Sequence, residues 1–214
     1  MQRQRATVTG PAGDIDVRIE VAAPSPDFVA VIGHPHPLFG GTMDNKVITS
    51  LARLVRDNNG VAIRFNFRGV GDSAGVHDHG VGEVNDMQAV IDYAEQAYAG
   101  LPLWLAGFSF GSYVAACVAV KRHQQGKANA GLLLVGPPVH NYDFTAISSV
   151  GAPVAVIQGD EDEVVPADQV FDWASASPLE PVVERMSGAS HFFHGCLPEL
   201  QSIAAMHLPN RREE

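Results

Sequence analysis

The sequence predicts an α/β protein in which a mostly parallel, twisted sheet is covered by helices on both faces. Short apolar runs with the composition of β-strands alternate along the chain with segments of helical periodicity. The run from Phe28 to Gly33 is continuously apolar, as expected for a strand that is buried on both faces. With 214 residues, 46% of them hydrophobic, and no internal repeat or linker, the chain is expected to form one domain over residues 1–214.

The first half of the chain predicts three strands and two helices. Ile15 to Ala22 alternates apolar and charged residues, which indicates a half-exposed strand near a sheet edge. After the strand at 28–33, apolar residues recur at helical spacing between positions 44 and 58, and a further strand follows from Gly60 to Phe67. Glu83 to Ala99 carries a single apolar stripe and is predicted to be a helix.

The second half continues the alternation. A strand at 101–107 leads into a helix that ends near residue 124. Three short strands are predicted at Leu132–Val135, Val154–Ile157 and Val182–Met186, and two helices at Pro166–Ser175 and Leu197–Met206. The last few residues are expected to be disordered.

Charge and cysteine content exclude several classes of protein. Lys and Arg number 14 against 24 Asp and Glu, so the net charge is −10, which disfavours nucleic-acid or anionic-membrane partners. The two cysteines, Cys117 and Cys196, are too few for a disulfide framework and are expected to be free thiols. No signal peptide or long apolar run is visible, so a soluble cytoplasmic protein is predicted, with its oligomeric state left open.

The motif Gly107-Phe-Ser-Phe-Gly111 lies between a predicted strand and a predicted helix. In that context G-x-S-x-G is the sequence form of a nucleophile elbow, a sharp turn that presents the serine hydroxyl clear of the sheet. By composition alone such a motif has roughly a 0.07 chance of arising by accident in a chain of this length. The assignment of Ser109 as a nucleophile therefore depends on finding its partners elsewhere.

A serine nucleophile needs a base and a carboxylate at the ends of later strands. The strand at 154–157 runs into Gln158-Gly-Asp-Glu-Asp-Glu163, where a glycine turn is followed by carboxylates, although such a run also suits a solvated loop. The last strand is followed by His191 in a loop, third in the required order Ser, Asp, His. His194 is a weaker candidate because it is expected to lie in the following helix.

The loop after the first buried strand, Gly33-His-Pro-His-Pro37, is stiffened by two prolines and could aim backbone N–H groups at an oxyanion. A metal site is the alternative, because His34 and His36 are two residues apart and His77 and His79 form a second close pair. No third ligand is specified, so structural roles for His34, His77 and His79 are favoured and no metal or other cofactor is predicted.

Taken together, these segments resemble the α/β-hydrolase superfamily over nearly the whole chain. Its nucleophile, acid and base segments match Gly-Phe-Ser-Phe-Gly, Gln-Gly-Asp-Glu-Asp-Glu-Val-Val-Pro and Ser-His-Phe-Phe, in that order. His-Pro-His-Pro, Asn-Lys-Val, Arg-Phe-Asn-Phe-Arg-Gly and Val-Gly-Asp-Ser-Ala-Gly resemble, more narrowly, small bacterial serine hydrolases without a lid, related to dienelactone hydrolases and short-chain esterases. The elbow has serine where dienelactone hydrolases have cysteine.

The resemblance implies a role for individual residues. Ser109 is the expected nucleophile, His191 the general base and Asp162, rather than Asp160, the acid that orients the histidine. The oxyanion donors fall on the backbone N–H groups of His36 and Phe110.

The predicted activity is hydrolysis of small or short-acyl esters through an acyl-enzyme. Only residues 139–152 fill the position where lid domains usually enter, so an open pocket is expected, rimmed by Leu38, Phe39, Phe110, Phe192 and Phe193, which could equally serve as packing. A thioesterase or peptidase would use the same groups, and a non-catalytic binding protein of the same fold is the alternative from a different class.

Overall fold

The computed structural model describes residues 2–209, which contain an eight-stranded sheet. The strands are β1 (Gln2–Gly10), β2 (Gly13–Val21), β3 (Phe28–Gly33), β4 (Gly60–Phe65), β5 (Leu103–Phe108), β6 (Gly131–Val135), β7 (Val154–Gly159) and β8 (Val182–Met186). The helices are α1 (Lys46–Asp57), α2 (Val81–Ala97), α3 (Phe110–Gln124), α4 (Ala167–Ala176) and α5 (Leu197–Ala205). The expectation of disorder at the C-terminal end concerns residues 210–214, outside the described part of the chain.

The strand order is β1-β2-β4-β3-β5-β6-β7-β8. β2 pairs antiparallel with β1 and β4, whereas every pairing from β4 onward is parallel. The predicted fold class is therefore confirmed. Because parallel strands end at the same edge of a sheet, the loops after β3, β5, β7 and β8 converge on one side of the molecule.

Two apolar layers cover the sheet, one on each face. α1 and α5 pack over one face through buried side chains such as Leu51 and Leu200. α2 and α3 cover the other face through side chains such as Met87 and Val114. β3 to β7 are buried along their whole length, which explains their continuously apolar sequences.

The sequence prediction missed β1. Its sequence, Gln2-Arg-Gln-Arg-Ala-Thr-Val-Thr-Gly10, lacks a continuous apolar face, and most of its residues are exposed. The strand forms because a tight turn at residues 10–13 folds it back onto β2 in register. Pairing within this hairpin contributes more than burial, since Val8 is the one buried residue of the strand.

The segment between β6 and β7, residues 136–153, contains no helix. It packs against the core through Phe144, Ile147 and Val150, all buried. Cys117 and Cys196 are both free. Within residues 2–209, no helix has the length and apolar character needed to cross a bilayer.

Candidate active site

The turn between β5 and α3 holds Ser109 in a strained backbone conformation, with φ 52° and ψ −123°. The turn is tight because both flanking glycines touch backbone. A Cβ at Gly107 would lie 2.1 Å from the carbonyl oxygen of Gly111, and a Cβ at Gly111 would lie 2.2 Å from that of Gly33. Larger residues at either position would collide with backbone that cannot move aside. The local structure is thus that of a nucleophile elbow.

The loop after β8 brings His191 to this serine. The Oγ of Ser109 lies 3.1 Å from the Nε2 of His191, within hydrogen-bonding distance. The imidazole packs on the ring of Phe108, with centroids 4.9 Å apart, which helps to fix its position. His191 is buried, and Ser109 is 8% exposed.

Asp162 accepts a hydrogen bond from the other side of the histidine ring. Its Oδ2 lies 2.8 Å from His191 Nδ1, and its Oδ1 accepts from the N–H groups of Val164 at 2.9 Å and Val165 at 2.7 Å. Burial raises the pKa of Asp162, but the hydrogen bond and charge of His191 and the two backbone donors outweigh burial, so its net pKa is lowered. The carboxylate is therefore held ionised, as a partner for a protonated imidazole must be.

Asp160 has different partners, although it lies only two residues away. It accepts hydrogen bonds from the N–H of Gly188 at 2.6 Å and from Arg185 Nε at 3.3 Å. The Gly188 N–H, more than the Arg185 charge, lowers the pKa of Asp160. These contacts tie the loop after β7 to the turn after β8.

Two residues at the site were missed by the sequence prediction. Gln158 donates from Nε2 to Asp162 Oδ2 at 3.0 Å, and Glu163 accepts from the backbone N–H of His191 at 3.0 Å. Both lie in the segment that was identified as the acid loop. Their roles could not be predicted because either side chain could equally have faced solvent.

The loop that carries His36 is fixed on both sides. The ring of His34 contacts the carbonyl oxygen of Pro35 through Nδ1 at 2.6 Å, and its Nε2 accepts from the N–H of Phe67 at 3.0 Å. The carbonyl of His36 accepts from the N–H groups of Phe39 and Gly41. The peptide group that contains the His36 N–H is thereby held in one orientation.

The second predicted oxyanion donor is the N–H of Phe110. This residue is the first of α3, and the first N–H groups of a helix have no acceptor within the helix. They also lie at the positive end of the helix dipole, which favours a nearby negative charge. The role of these two N–H groups as oxyanion donors remains a prediction.

Two of the four histidines considered as metal ligands, His34 and His77, lie against other protein groups. Both nitrogens of His34 take part in hydrogen bonds, and burial lowers its pKa to about 4. His77 Nδ1 lies 2.9 Å from the buried carboxylate of Glu83, which also accepts from the N–H groups of Asp78 and Gly80. No cluster of three or more His, Cys, Asp or Glu suited to a metal occurs in the described part of the chain.

The predicted pocket residues have two different environments. Leu38 is 67% exposed, Phe39 87% and Phe192 39%, so these three can rim an open site. Phe110 and Phe193 are both buried among core residues, Phe193 beside Phe108, so the prediction that they rim the pocket was wrong. Two adjacent phenylalanines in a loop point to opposite sides, and sequence alone does not say which one faces inward.

Comparisons with known proteins agree with the fold and with a serine hydrolase. No protein-family model matches the chain. An uncharacterized protein of Rickettsia prowazekii is 37% identical over 196 residues, which are 86% of this chain and 79% of the relative. An α/β serine hydrolase homologue from Coxiella burnetii is 42% identical with a TM-score of 0.89, covering 96% of this chain and 97% of that one.

A second solved structure lacks a lid. It is an α/β serine hydrolase from Xanthomonas campestris, described as being without a lid, which is 38% identical with a TM-score of 0.85 and covers 94% of this chain and 91% of that one. The fold and the serine-centred site define an α/β hydrolase. The chain belongs to the α/β-hydrolase superfamily, in its group of small, lidless serine hydrolases.

Proposed function

We propose that this hydrolase is a serine carboxylesterase that acts on small or short-acyl esters through an acyl-enzyme. The observation that carries the proposal is the hydrogen-bonded chain from Ser109 Oγ to His191 at 3.1 Å and from His191 to Asp162 at 2.8 Å. Nucleophile, base and acid in this arrangement are what serine-dependent acyl transfer requires. The strained backbone of Ser109 supports the same role.

In the acylation step, Ser109 Oγ attacks the carbonyl carbon of the ester while its proton passes to His191 Nε2. The negative charge that develops on the carbonyl oxygen is accepted by the N–H groups of His36 and Phe110, and each such donor contributes roughly 3–4 kcal/mol to the transition state. His191 then gives its proton to the departing alkoxide, which leaves as an alcohol. Asp162 stabilises the imidazolium that exists between these proton transfers.

Deacylation repeats these steps with water as the nucleophile. Water gives one proton to His191 Nε2 and its oxygen bonds to the acyl carbon. Collapse of the second oxyanion breaks the bond to Ser109 Oγ, which recovers the proton from His191. The products are a carboxylic acid and the free enzyme.

The open surroundings of Ser109 favour small substrates. Leu38, Phe39 and Phe192 form an apolar rim, and the 136–153 segment that could have covered the site packs against the core. A shallow apolar rim can bury a short acyl chain but only part of a long one. Short-chain esters are therefore expected to have the highest kcat/KM.

The first test is labelling with a fluorophosphonate, which reacts with activated serines. Wild type and a Ser175→Ala control, which alters an exposed serine of α4, are expected to label, whereas Ser109→Ala is expected not to. Matching circular dichroism of the three proteins establishes that all are folded. Absence of labelling in folded wild type would overturn the proposal and favour a non-catalytic binding protein.

The second test separates ester hydrolysis from related reactions. Nitrophenyl esters of increasing acyl length, acyl-CoA thioesters of the same acyl lengths and a peptide nitroanilide are compared by kcat/KM. The proposal expects the short esters to rank first. A higher value for the thioesters or for the nitroanilide would reassign the enzyme to that reaction while retaining the serine mechanism.

A further inference from the structure

A groove beside the β1–β2 hairpin gathers six arginines in a chain whose net charge is −10. They are Arg3 and Arg5 of β1, Arg18 of β2, Arg53 and Arg56 of α1, and Arg64 of β4. We call this feature the arginine groove. It encloses a cavity of about 420 Å³, and its lining includes one carboxylate, Glu20.

Strand register places three of these arginines in a row. Arg5 lies directly opposite Arg18, and Arg18 lies directly opposite Arg64. Like charges at directly opposed positions destabilise a sheet. Arg53 and Arg56 add two more guanidinium groups from the helix that borders this face.

Two buried carboxylates, Glu20 in the lining of the groove and Asp16 beside it, contact most of these arginines. Glu20 contacts Arg3 at 3.2 Å, Arg56 at 3.3 Å and Arg64 at 2.9 Å. Asp16 contacts Arg5 at 3.1 Å and Arg18 at 2.8 Å. Two buried carboxylates thus serve five guanidinium groups.

The remaining neutralisation is weak. Arg53 has no ion-pair or hydrogen-bond partner within residues 2–209. The other carboxylates that contact the six arginines, Asp44, Asp57 and Asp72, have side chains that are more than half exposed, so solvent screens their contribution. Six arginines thus meet five carboxylates, so the groove keeps a formal charge of +1, which corresponds to the unpaired Arg53.

Part of this charge is held rigidly. The side chain of Arg64 is only 9% exposed, and its buried Nε has no hydrogen-bond partner among the described residues. Arg56 is 12% exposed. Both side chains are fixed by carboxylates that they already contact, Arg64 by Glu20 and Asp44 and Arg56 by Glu20 and Asp57. They therefore contribute a fixed positive potential to the groove, and the free donors for a ligand come from the more exposed arginines.

We propose that the arginine groove binds a small ligand that carries two or more linked phosphate groups. Guanidinium forks match phosphate oxygens bidentately. A row of three arginines on strands roughly 4.8 Å apart suits a chain of anionic groups better than a single ion. The cavity volume lies within the range of small-molecule sites, roughly 300–1,000 Å³.

The groove is separate from the hydrolase site. It is formed by β1, β2, β4 and α1, whereas Ser109 and His191 follow β5 and β8. The proposal therefore stands or falls independently of the esterase activity. A nucleic acid is disfavoured as the ligand because the rest of the protein is acidic and would repel an extended polyanion.

Isothermal titration with tripolyphosphate at fixed ionic strength tests the proposal. Wild type is expected to bind one equivalent saturably. Arg53→Glu is expected to weaken binding by at least about tenfold, because it replaces an unpaired cation at the groove by an anion. Lys127→Glu makes the same change of charge among Asp92 and Glu95, outside the groove, and is expected to bind as wild type does.

A second variant tests whether another arginine of the groove contributes to binding as Arg53 does. Arg18→Gln removes a central cation, and Asp16 keeps Arg5 as a partner, so the fold should survive and binding should weaken in the same way. Thermal unfolding and circular dichroism of each variant establish that it is folded.

Three results would overturn the proposal. The first is no saturable binding by wild type, and the second is equal weakening in Arg53→Glu and Lys127→Glu, which would indicate a non-specific charge effect. The third is binding of citrate, or of an oligothymidine, at least as tight as that of tripolyphosphate. Citrate would indicate a polycarboxylate site, and oligothymidine a nucleic-acid surface.

Discussion

At the scale of single residues, the acid loop shows how two similar aspartates differ in their contacts. Asp162 contacts His191, whereas Asp160 contacts Gly188 and Arg185. All the donors around Asp162 need an oxygen acceptor. An amide in its place would turn an NH2 group toward at least one of them, and would leave the imidazole without its carboxylate.

Asp162→Asn is therefore expected to lower kcat/KM by about 10³–10⁴-fold at neutral pH. Asp160→Asn keeps an oxygen for the Gly188 N–H, so it should leave kcat/KM near the wild-type value and lower the melting temperature through loss of the Arg185 pair. The measurement is steady-state hydrolysis of a short nitrophenyl ester together with thermal unfolding. Equal losses of activity in the two variants would contradict the assignment of Asp162.

His34 leads to a prediction about pH and stability. Its Nε2 must stay unprotonated to accept the Phe67 N–H, and burial lowers the pKa of His34 from 6.5 to about 4. Between those pH values the unfolded chain binds a proton that the folded protein excludes. The contribution of His34 to stability is therefore complete above pH 6.5 and is lost as the pH falls toward 4, by up to about 3 kcal/mol.

Urea unfolding of wild type and His34→Gln at several pH values between 4 and 7 measures this contribution. The glutamine variant is expected to lose stability less steeply as the pH falls, because it cannot take up the proton. His140→Gln, a change at an exposed histidine, should keep the wild-type slope. Identical slopes in wild type and His34→Gln would show that His34 is not excluded from protonation.

Residues could be predicted from sequence where both the residue type and its place relative to a strand are required by the chemistry. Ser109 lies between two glycines in the G-x-S-x-G motif, and His191 lies just after the last strand. Gln158, Glu163 and the burial of Phe193 depend instead on which way a loop side chain turns. That direction is set by packing between segments distant in sequence, which a local pattern does not record.

At the scale of secondary-structure elements, the elbow depends on how closely α3 approaches β3. A Cβ at Gly111 would lie 2.2 Å from the carbonyl oxygen of Gly33 and 2.6 Å from that of His34. Relieving these contacts would push the helix, and the Phe110 N–H at its start, away from the loop that carries His36.

Gly111→Ala is expected to lower the free energy of unfolding by about 3 kcal/mol or more and to abolish fluorophosphonate labelling. Gly126→Ala is a suitable control, since Gly126 has a φ of +71° but nothing within 4 Å of the added methyl group. It should lose only about 1–2 kcal/mol through backbone strain and should label normally. Chemical denaturation and labelling of both variants make the comparison, and similar losses in the two would argue against the close approach of α3 to β3 as the reason for the glycine.

The burial of each strand explains whether it could be predicted from the sequence. β3 to β7 are buried on both faces, so their apolar runs identify them directly. β1 is polar and exposed, and it forms through pairing with β2 across a tight turn. A strand that is stabilised by pairing rather than by burial leaves no apolar period in the sequence.

At the scale of the whole molecule, the absence of a lid determines how the enzyme should respond to aggregated substrates. Residues 136–153 contain no helix and are held to the core by Phe144, Ile147 and Val150. No helix of this segment has to move away from Ser109 before a substrate can approach it. The protein therefore has no closed conformation that a lipid–water interface could convert into an open one.

Hydrolysis of tributyrin should accordingly follow simple saturation as its concentration passes through the solubility limit, with no abrupt rise once droplets form. The expected curve reflects only the dissolved ester, since an interface can activate an enzyme only through a difference in affinity between two conformations. Direct binding of droplets by the exposed rim is tested separately with Phe39→Ser. Phe39 is 87% exposed, so its replacement should not disturb the core.

The prediction is contradicted if the rate of wild type rises sharply above the solubility limit and the same rise occurs in Phe39→Ser. That result would show that another segment covers Ser109 in solution.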